Sequence, residues 1–295
     1  MTSLDFVIVG AQKAGTSALS KFLADVPGVY LPRGEVPLFE SPHFESGGVD
    51  ALKFLMRDQS AMAVRGIKRP NYLGLEVIPA RISQAFPNVN IIIVLRDPLL
   101  RAVSAYLHYV EYSHLPPIVP EVGLKVLLNG ESLDSPRAHE VLDWGRYRVL
   151  IQRYLREFDR ERIIVIDQEE LNHRPLLAVS RVPGVNVATM SATDRSRTNE
   201  GAKTLAQLRI RRGLHRCLTN VDPQTGQVLP RTKNPVRLAA ALGFRELAKL
   251  EGHRRITGNG PFRISEELSH QLRDFYFDDV DFVRREFGID LNAQS

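Results

Sequence analysis

A glycine-bounded loop near the start of the chain, Gly10-Ala-Gln-Lys13-Ala-Gly15-Thr16-Ser17-Ala18, carries the residues best suited to hold an anion. An apolar run, Phe6–Val9, reads as a buried strand, and a helical pattern opens near Thr16. Such a strand-loop-helix points several backbone N–H groups at one spot, and the helix dipole favours negative charge there. The separation of Gly10 and Gly15 is that of a G-x-x-x-x-G-K-[ST] phosphate loop. The lysine is displaced, however. It stands inside the loop at Lys13, and Thr16 occupies the place where the lysine of that motif belongs. The phosphate grip is kept, while the ATP and magnesium chemistry of the standard loop is not expected. A generic turn with a surface lysine is the bland alternative for the same residues.

A second constellation runs from Ile91 through His108. The apolar stretch ending at Leu95 delivers Arg96 to the carboxyl edge of a sheet, where ligands bind in open α/β folds. Asp97-Pro98 suits the first turn of the next helix. Arg101, Ser104 and His108 then fall at helical spacing and share a face. An arginine and a hydroxyl converging on one point make a phosphate clamp. The competing reading is an Asp-Pro helix start with arginines on a solvated face.

Other constellations carry less. The histidines lack metal-ligand spacing, and Cys217, the one cysteine, has no partner for a disulfide. It reads as a small core residue on a helix near Leu205–Leu218. No G-x-S-x-G elbow occurs. Trp144 reads as a packing residue. Arg209, Arg211, Arg212 and Arg216 form a charge-rich helix side, either solvated or facing an acidic acceptor.

The elements that must position these residues are apolar runs alternating with helical patterns, which calls for a parallel sheet with helices on both faces. The clearest strands are Phe6–Val9, Asn90–Leu95 and Arg162–Asp167, with Val64–Ile67 weaker. Helices are expected over Leu75–Phe86, ended by Pro87, over Leu99–Tyr109, and over Ala138–Phe158. His114–Pro120 and Asn220–Pro261 look irregular, the latter around one helical stretch near Leu238–Leu250. A connection as long as 220–261 is expected to be a mobile insertion or a lid over the acceptor.

The chain has 295 residues, enough for one domain with a sizeable core. Its net charge of +5 leans basic. That charge suits nucleic acid, an acidic membrane surface or a polyanionic small ligand, and because the basic residues are dispersed rather than gathered in a tail the nucleic-acid reading is lowered. No apolar run approaches a membrane span and no signal peptide is visible, so a soluble cytoplasmic protein is expected. A single cysteine fits a reducing compartment. Oligomeric state is not legible.

The two anion motifs together resemble those of sulfotransferases that use 3′-phosphoadenosine 5′-phosphosulfate (PAPS). Gly10–Leu19 is similar to the "GxxKxGTTxL" loop of the carbohydrate enzymes and their bacterial relatives, and Arg96–His108 to "RDPxxRAxSxYxH". Gly66–Leu73 resembles "EKSPxYL", with Ile67 where the family often has glutamate. Gly145–Phe158, with Ile163–Ile166 and Glu169–Leu171, looks like a further family block. Arg197–Lys203 faintly resembles a late cofactor loop, and Phe275–Leu291 the closing helix. The likeness runs from Phe6 to about Asn292 and leaves 220–261 uncovered.

The resemblance implies a P-loop-type α/β fold and sulfuryl transfer to a hydroxyl or amine of a small-molecule or carbohydrate acceptor, without metal. It implies that Ala14, Gly15, Thr16, Ser17 and Ala18 hold the 5′-phosphate, that Lys13 meets charge on the leaving oxygen, and that Arg96 and Ser104 hold the 3′-phosphate. Lys203 is implied in cofactor binding, and Lys68 in touching the sulfuryl group or acceptor. Glu35, in a segment similar to "KExxFF", is the implied base, although Gly34 replaces the usual lysine and Pro37-Leu38 falls inside the motif. His108 is the alternative base, and His43 and Glu40 stay open. Two other classes compete: a P-loop kinase using ATP, and a non-catalytic binder of anions or nucleic acid.

Overall fold

A computed structural model describes residues 4–57, 62–188, 205–221, 228–231, 234–254 and 264–292. The described chain divides into two compact units: Met1–Arg101 with Trp144–Thr198 and Tyr276–Ser295, and Ala102–Asp143 with Asn199–Phe275.

The first unit is an α/β layer structure. It holds β1 (Phe6–Gly10), α1 (Thr16–Ala24), β2 (Val29–Tyr30), α2 (Phe44–Met56), β3 (Val64–Lys68), α3 (Ile78–Ala85) and β4 (Asn90–Leu95). Helix α4 (Pro98–Glu111) starts here and ends in the second unit. After α5 (Pro120–Leu128) and α6 (Glu140–Asp143) in the second unit, the first resumes with α7 (Tyr147–Leu155), β5 (Ile163–Asp167), α8 (Gln168–His173) and α9 (Pro175–Ser180). The five strands are all parallel, in the order β2-β3-β1-β4-β5, and helices flank the sheet.

β1 is buried along its whole length, as is β4 after its first residue. That is why their sequences are continuous apolar runs rather than alternating ones. β3 was weaker in the sequence because of Gly66. It pairs with Phe6, and a Cβ at Gly66 would stand 2.1 Å from the Phe6 ring. The glycine makes room for an aromatic ring on the neighbouring strand. Apolar side chains from β1, β3, β4, β5, α1 and α7 form one core, joined by Val280 and Val283.

One expected helix is broken. Ala138–Phe158 is two segments, α6 and α7, interrupted at Trp144-Gly145-Arg146. Gly145 lies against Tyr276, whose ring would be 2.8 Å from a Cβ there. Trp144 is buried beside Gly74, as a packing residue. The closing helix is α13 (Phe277–Phe287), packed on α7.

The second unit adds α10 (Leu205–Leu218), a hairpin of β6 (Thr219–Val221) and β7 (Val228–Pro230), α11 (Pro235–Arg254) and α12 (Glu266–Phe275). Within the expected irregular 220–261 segment, the described residues include the end of β6, strand β7 and a 20-residue helix, longer than Leu238–Leu250. Cys217 is half-exposed rather than a core residue. Arg212 donates through Nη1 to the carbonyls of Val110 and Leu115, at 2.6 and 2.5 Å, while Arg209 and Arg216 on the same helix are exposed. Tyr109, Arg137 and Glu140 form a buried network, with Arg137 bidentate on Glu140.

Candidate functional site

The turn after β1 starts with the Ala11 N–H donating to the Val94 carbonyl of β4 at 2.7 Å. Lys13 has φ 69° and Gly15 φ 97°, both left-handed. Gly15 tolerates that region without a Cβ penalty. Its Cα faces Gln168 at the start of α8, with the amide nitrogen 3.4 Å from where a Cβ would be. Gly10 is crowded as well, since a Cβ there would meet Leu73 at 2.5 Å.

The N–H groups that open a helix have no carbonyl partner within it. In α1 these include Thr16, which is buried, and Ser17. The Ala18 N–H instead returns to the Gly15 carbonyl at 2.9 Å. The Ala14 N–H likewise returns to the Ala11 carbonyl at 3.2 Å, so the loop donors not turned back in this way are those of Gly15, Thr16 and Ser17.

Arg96 leaves the carboxyl end of β4 beside this loop. Its Nη1 donates to the Lys13 carbonyl at 3.4 Å, while its Nε is buried with no hydrogen-bond partner. Burial pushes the Arg96 pKa down, and Tyr147, Asp97 and Glu169 act against that. A desolvated guanidinium with unspent donor capacity, next to a helix N-terminus, fits a phosphate group. Tyr147 fixes the strand end by donating to the Arg96 carbonyl at 2.9 Å. Asp97 caps α4, accepting from the Leu99 N–H at 2.7 Å. The capping half of the bland reading is therefore present, but its solvated arginines are not, because Arg101 is fully buried.

A second wall comes from the end of β3. Lys68 is buried, and its Nζ lies 3.4 Å from the Ser17 hydroxyl. Burial lowers its pKa, and Glu35 opposes the shift. Arg69 donates through Nη1 to Glu35 at 2.6 Å and through Nε and Nη2 to Glu40 at 2.5 and 2.7 Å. Burial alone would lower the Arg69 pKa; the two carboxylates outweigh it and raise it.

Lys13, Ala14, Gly15, Thr16, Ser17, Arg96, Lys68 and Glu35 thus line one carboxyl edge of the sheet. His43 is exposed at the start of α2. Ser104 and His108 lie on α4 in the second unit, both half-exposed, and His108 is tilted against Tyr112 with ring centres 4.6 Å apart. Lys203 and the 197–203 loop lie outside the described residues. Sequence reasoning missed Arg69 and Gln168. Arg69 carried a usable signal: it directly follows Lys68 at a strand end on the ligand edge. Among the described residues, no group of three or more His, Cys, Asp or Glu side chains could hold a metal, and no helix is long and apolar enough to cross a membrane.

A family model for the sulfotransferase domain matches residues 3–184. Among curated proteins, a bifunctional heparan sulfate N-deacetylase/N-sulfotransferase 1 of Caenorhabditis elegans is 28% identical over 177 residues, covering 58% of this chain and 20% of that protein. The mouse heparan sulfate glucosamine 3-O-sulfotransferase 5 is 23% identical over 170 residues, covering 58% of this chain and 49% of that one. The chain thus spans a fifth to a half of the length of these relatives. A solved sulfotransferase from Alicyclobacillus acidocaldarius shares the fold, with TM-score 0.64 and 21% identity over 99% of both chains.

Proposed function

The chain belongs to the sulfotransferase domain family, and from that premise we propose that it moves a sulfuryl group from PAPS to a hydroxyl or amine of a carbohydrate acceptor. The single observation that supports the donor assignment is the approach of Arg96 to the Lys13 carbonyl, which brings the two motifs side by side. The heparan sulfate acceptors named for the relatives support the acceptor class.

In this reading the loop backbone from Ala14 to Ser17, through the N–H groups of Gly15 to Ser17, and the Thr16 and Ser17 hydroxyls hold the 5′-phosphate. Arg96 and Ser104 hold the 3′-phosphate, and Lys203 completes the cofactor contacts. The donor supplies an activated sulfuryl group on a phosphate leaving group. Lys13 meets the charge that builds on the leaving oxygen, and Lys68 the charge on the sulfuryl group. Glu35 accepts the proton of the acceptor. Meanwhile the acceptor oxygen or nitrogen bonds to sulfur and the bond from sulfur to the phosphate oxygen breaks, its electron pair staying on that oxygen. His108 is the alternative base.

Incubating the full chain with radiolabelled PAPS and chemically desulfated heparin tests this. That polysaccharide offers both hydroxyl and amino groups. Label should pass to it without magnesium, and E35Q should abolish transfer. Phosphate transfer from ATP and magnesium in place of sulfuryl transfer would overturn the reading, and an active E35Q would move the base to His108.

A further inference from the structure

Arg69 sits between two carboxylates that differ in setting. Glu40 is a buried partner, with its side chain 6% exposed, whereas the Glu35 side chain is 38% exposed. The bonding is equally lopsided. Nε and Nη2 grip Glu40 as a fork, leaving Nη1 to reach Glu35. A fork of this kind fixes the guanidinium plane, because two parallel N–H···O bonds set its rotation. The orientation of Nη1, and with it of the Glu35 carboxylate, is thereby set by Glu40.

The backbone around this triad is stapled independently. The Arg69 N–H donates to Ile8 of β1 at 2.9 Å, and the Val36 N–H to the Lys68 carbonyl at 3.0 Å. Tyr72 donates to the Val36 carbonyl and accepts from the Phe39 N–H. Arg81 holds the Phe39 carbonyl at 2.7 Å. The turn that carries Glu35 and Glu40 therefore has its own fastenings to the end of β3. The guanidinium of Arg69 fixes what these leave open, the direction of the Glu35 side chain. Charges also balance locally: Lys68 and Arg69 against Glu35 and Glu40.

We propose that Arg69, seated on Glu40, is a positioning residue that aims the Glu35 carboxylate as proton acceptor for the transfer step. The inference rests on Glu35 being the base. In this role Arg69 acts through Glu35, and Glu40 acts through Arg69.

The test uses the full chain labelled with glutamate carrying 13C at its side-chain carboxyl, with the Glu35 resonance identified by its loss in E35Q. R69K keeps the charge but loses the fork, and E40Q weakens the seat without changing its shape. Both should displace the Glu35 resonance at fixed pH, with affinity for 3′-phosphoadenosine 5′-phosphate kept within about twofold. In the desulfated-heparin assay, R69K should lower kcat by more than tenfold and leave KM within about threefold. If R69K does not fold, R69M/E40M removes the buried pair together, which avoids an unpaired buried charge; it should displace the same resonance. An unmoved Glu35 resonance in these variants overturns the inference, as does a wild-type kcat in R69K. An active E35Q overturns the base assignment instead, and leaves the resonance result standing as a structural relation only.

Discussion

The Arg96 guanidinium lies 3.4 Å from the Lys13 carbonyl oxygen, across 83 residues of sequence. The cause is strand order: β1 and β4 are neighbours, with Phe6 opposite Asn90 and Gly10 opposite Ile93. Whatever follows each strand emerges side by side at the carboxyl edge. R96A should therefore weaken 3′-phosphoadenosine 5′-phosphate binding roughly 10- to 100-fold, the worth of charge-assisted hydrogen bonds to a phosphate. R96K should recover only part, since an ammonium lacks the fork. Calorimetry reads both, and wild-type affinity in R96A would remove Arg96 from the donor site.

Lys13 is held inside the loop at positive φ. K13A should lower kcat about 10²- to 10³-fold, as for loss of one group that stabilises developing charge. Product affinity should fall far less than turnover. The comparison is between radiolabel transfer and calorimetry on the same preparation. Full activity in K13A would reject its role.

Gly10 has no room for a side chain beside Leu73. G10A should destabilise the protein by about 1–3 kcal/mol, the usual range for overpacking. It should also weaken product binding, because the backbone that shifts is the base of the anion loop. Thermal unfolding with and without the product measures both, and an unchanged melting temperature would contradict the close approach.

His114 gives a pH dependence with a definite sign. Burial and Arg137 lower its pKa from 6.5 to about 4, while Glu140 opposes. Between these values the unfolded chain binds a proton that the folded one refuses, so stability falls as pH drops from 6.5 towards 4. His114 keeps partial solvent access, so the effect is discounted to roughly 1–2 kcal/mol. H114Q should flatten the melting-temperature profile over that window. A wild-type slope in H114Q would assign the acid limb to other groups.

The sheet was legible where burial on both faces wrote it as uninterrupted apolar sequence. β4 has the expected bounds, and β1 and β5 differ by one residue. α10 also has the expected bounds, Leu205–Leu218. β2 escaped notice because Val29–Tyr30 is too short to carry a period. The break at Gly145 depends on Tyr276, distant in sequence, and no local pattern could announce it. The loop after β1 and the strand end at Arg96 were legible because both are local features. The Arg69 triad was not. It exists only because the 35–40 turn folds back on β3, and Tyr72 and Arg81, distant in sequence from that turn, fasten it.

The most direct test is calorimetry of the full chain with 3′-phosphoadenosine 5′-phosphate in the presence of a magnesium chelator, beside ATP with magnesium. One saturable site for 3′-phosphoadenosine 5′-phosphate, unaffected by the chelator and absent for ATP with magnesium, is the predicted result. Saturable binding of ATP with magnesium, and none of 3′-phosphoadenosine 5′-phosphate, would contradict it.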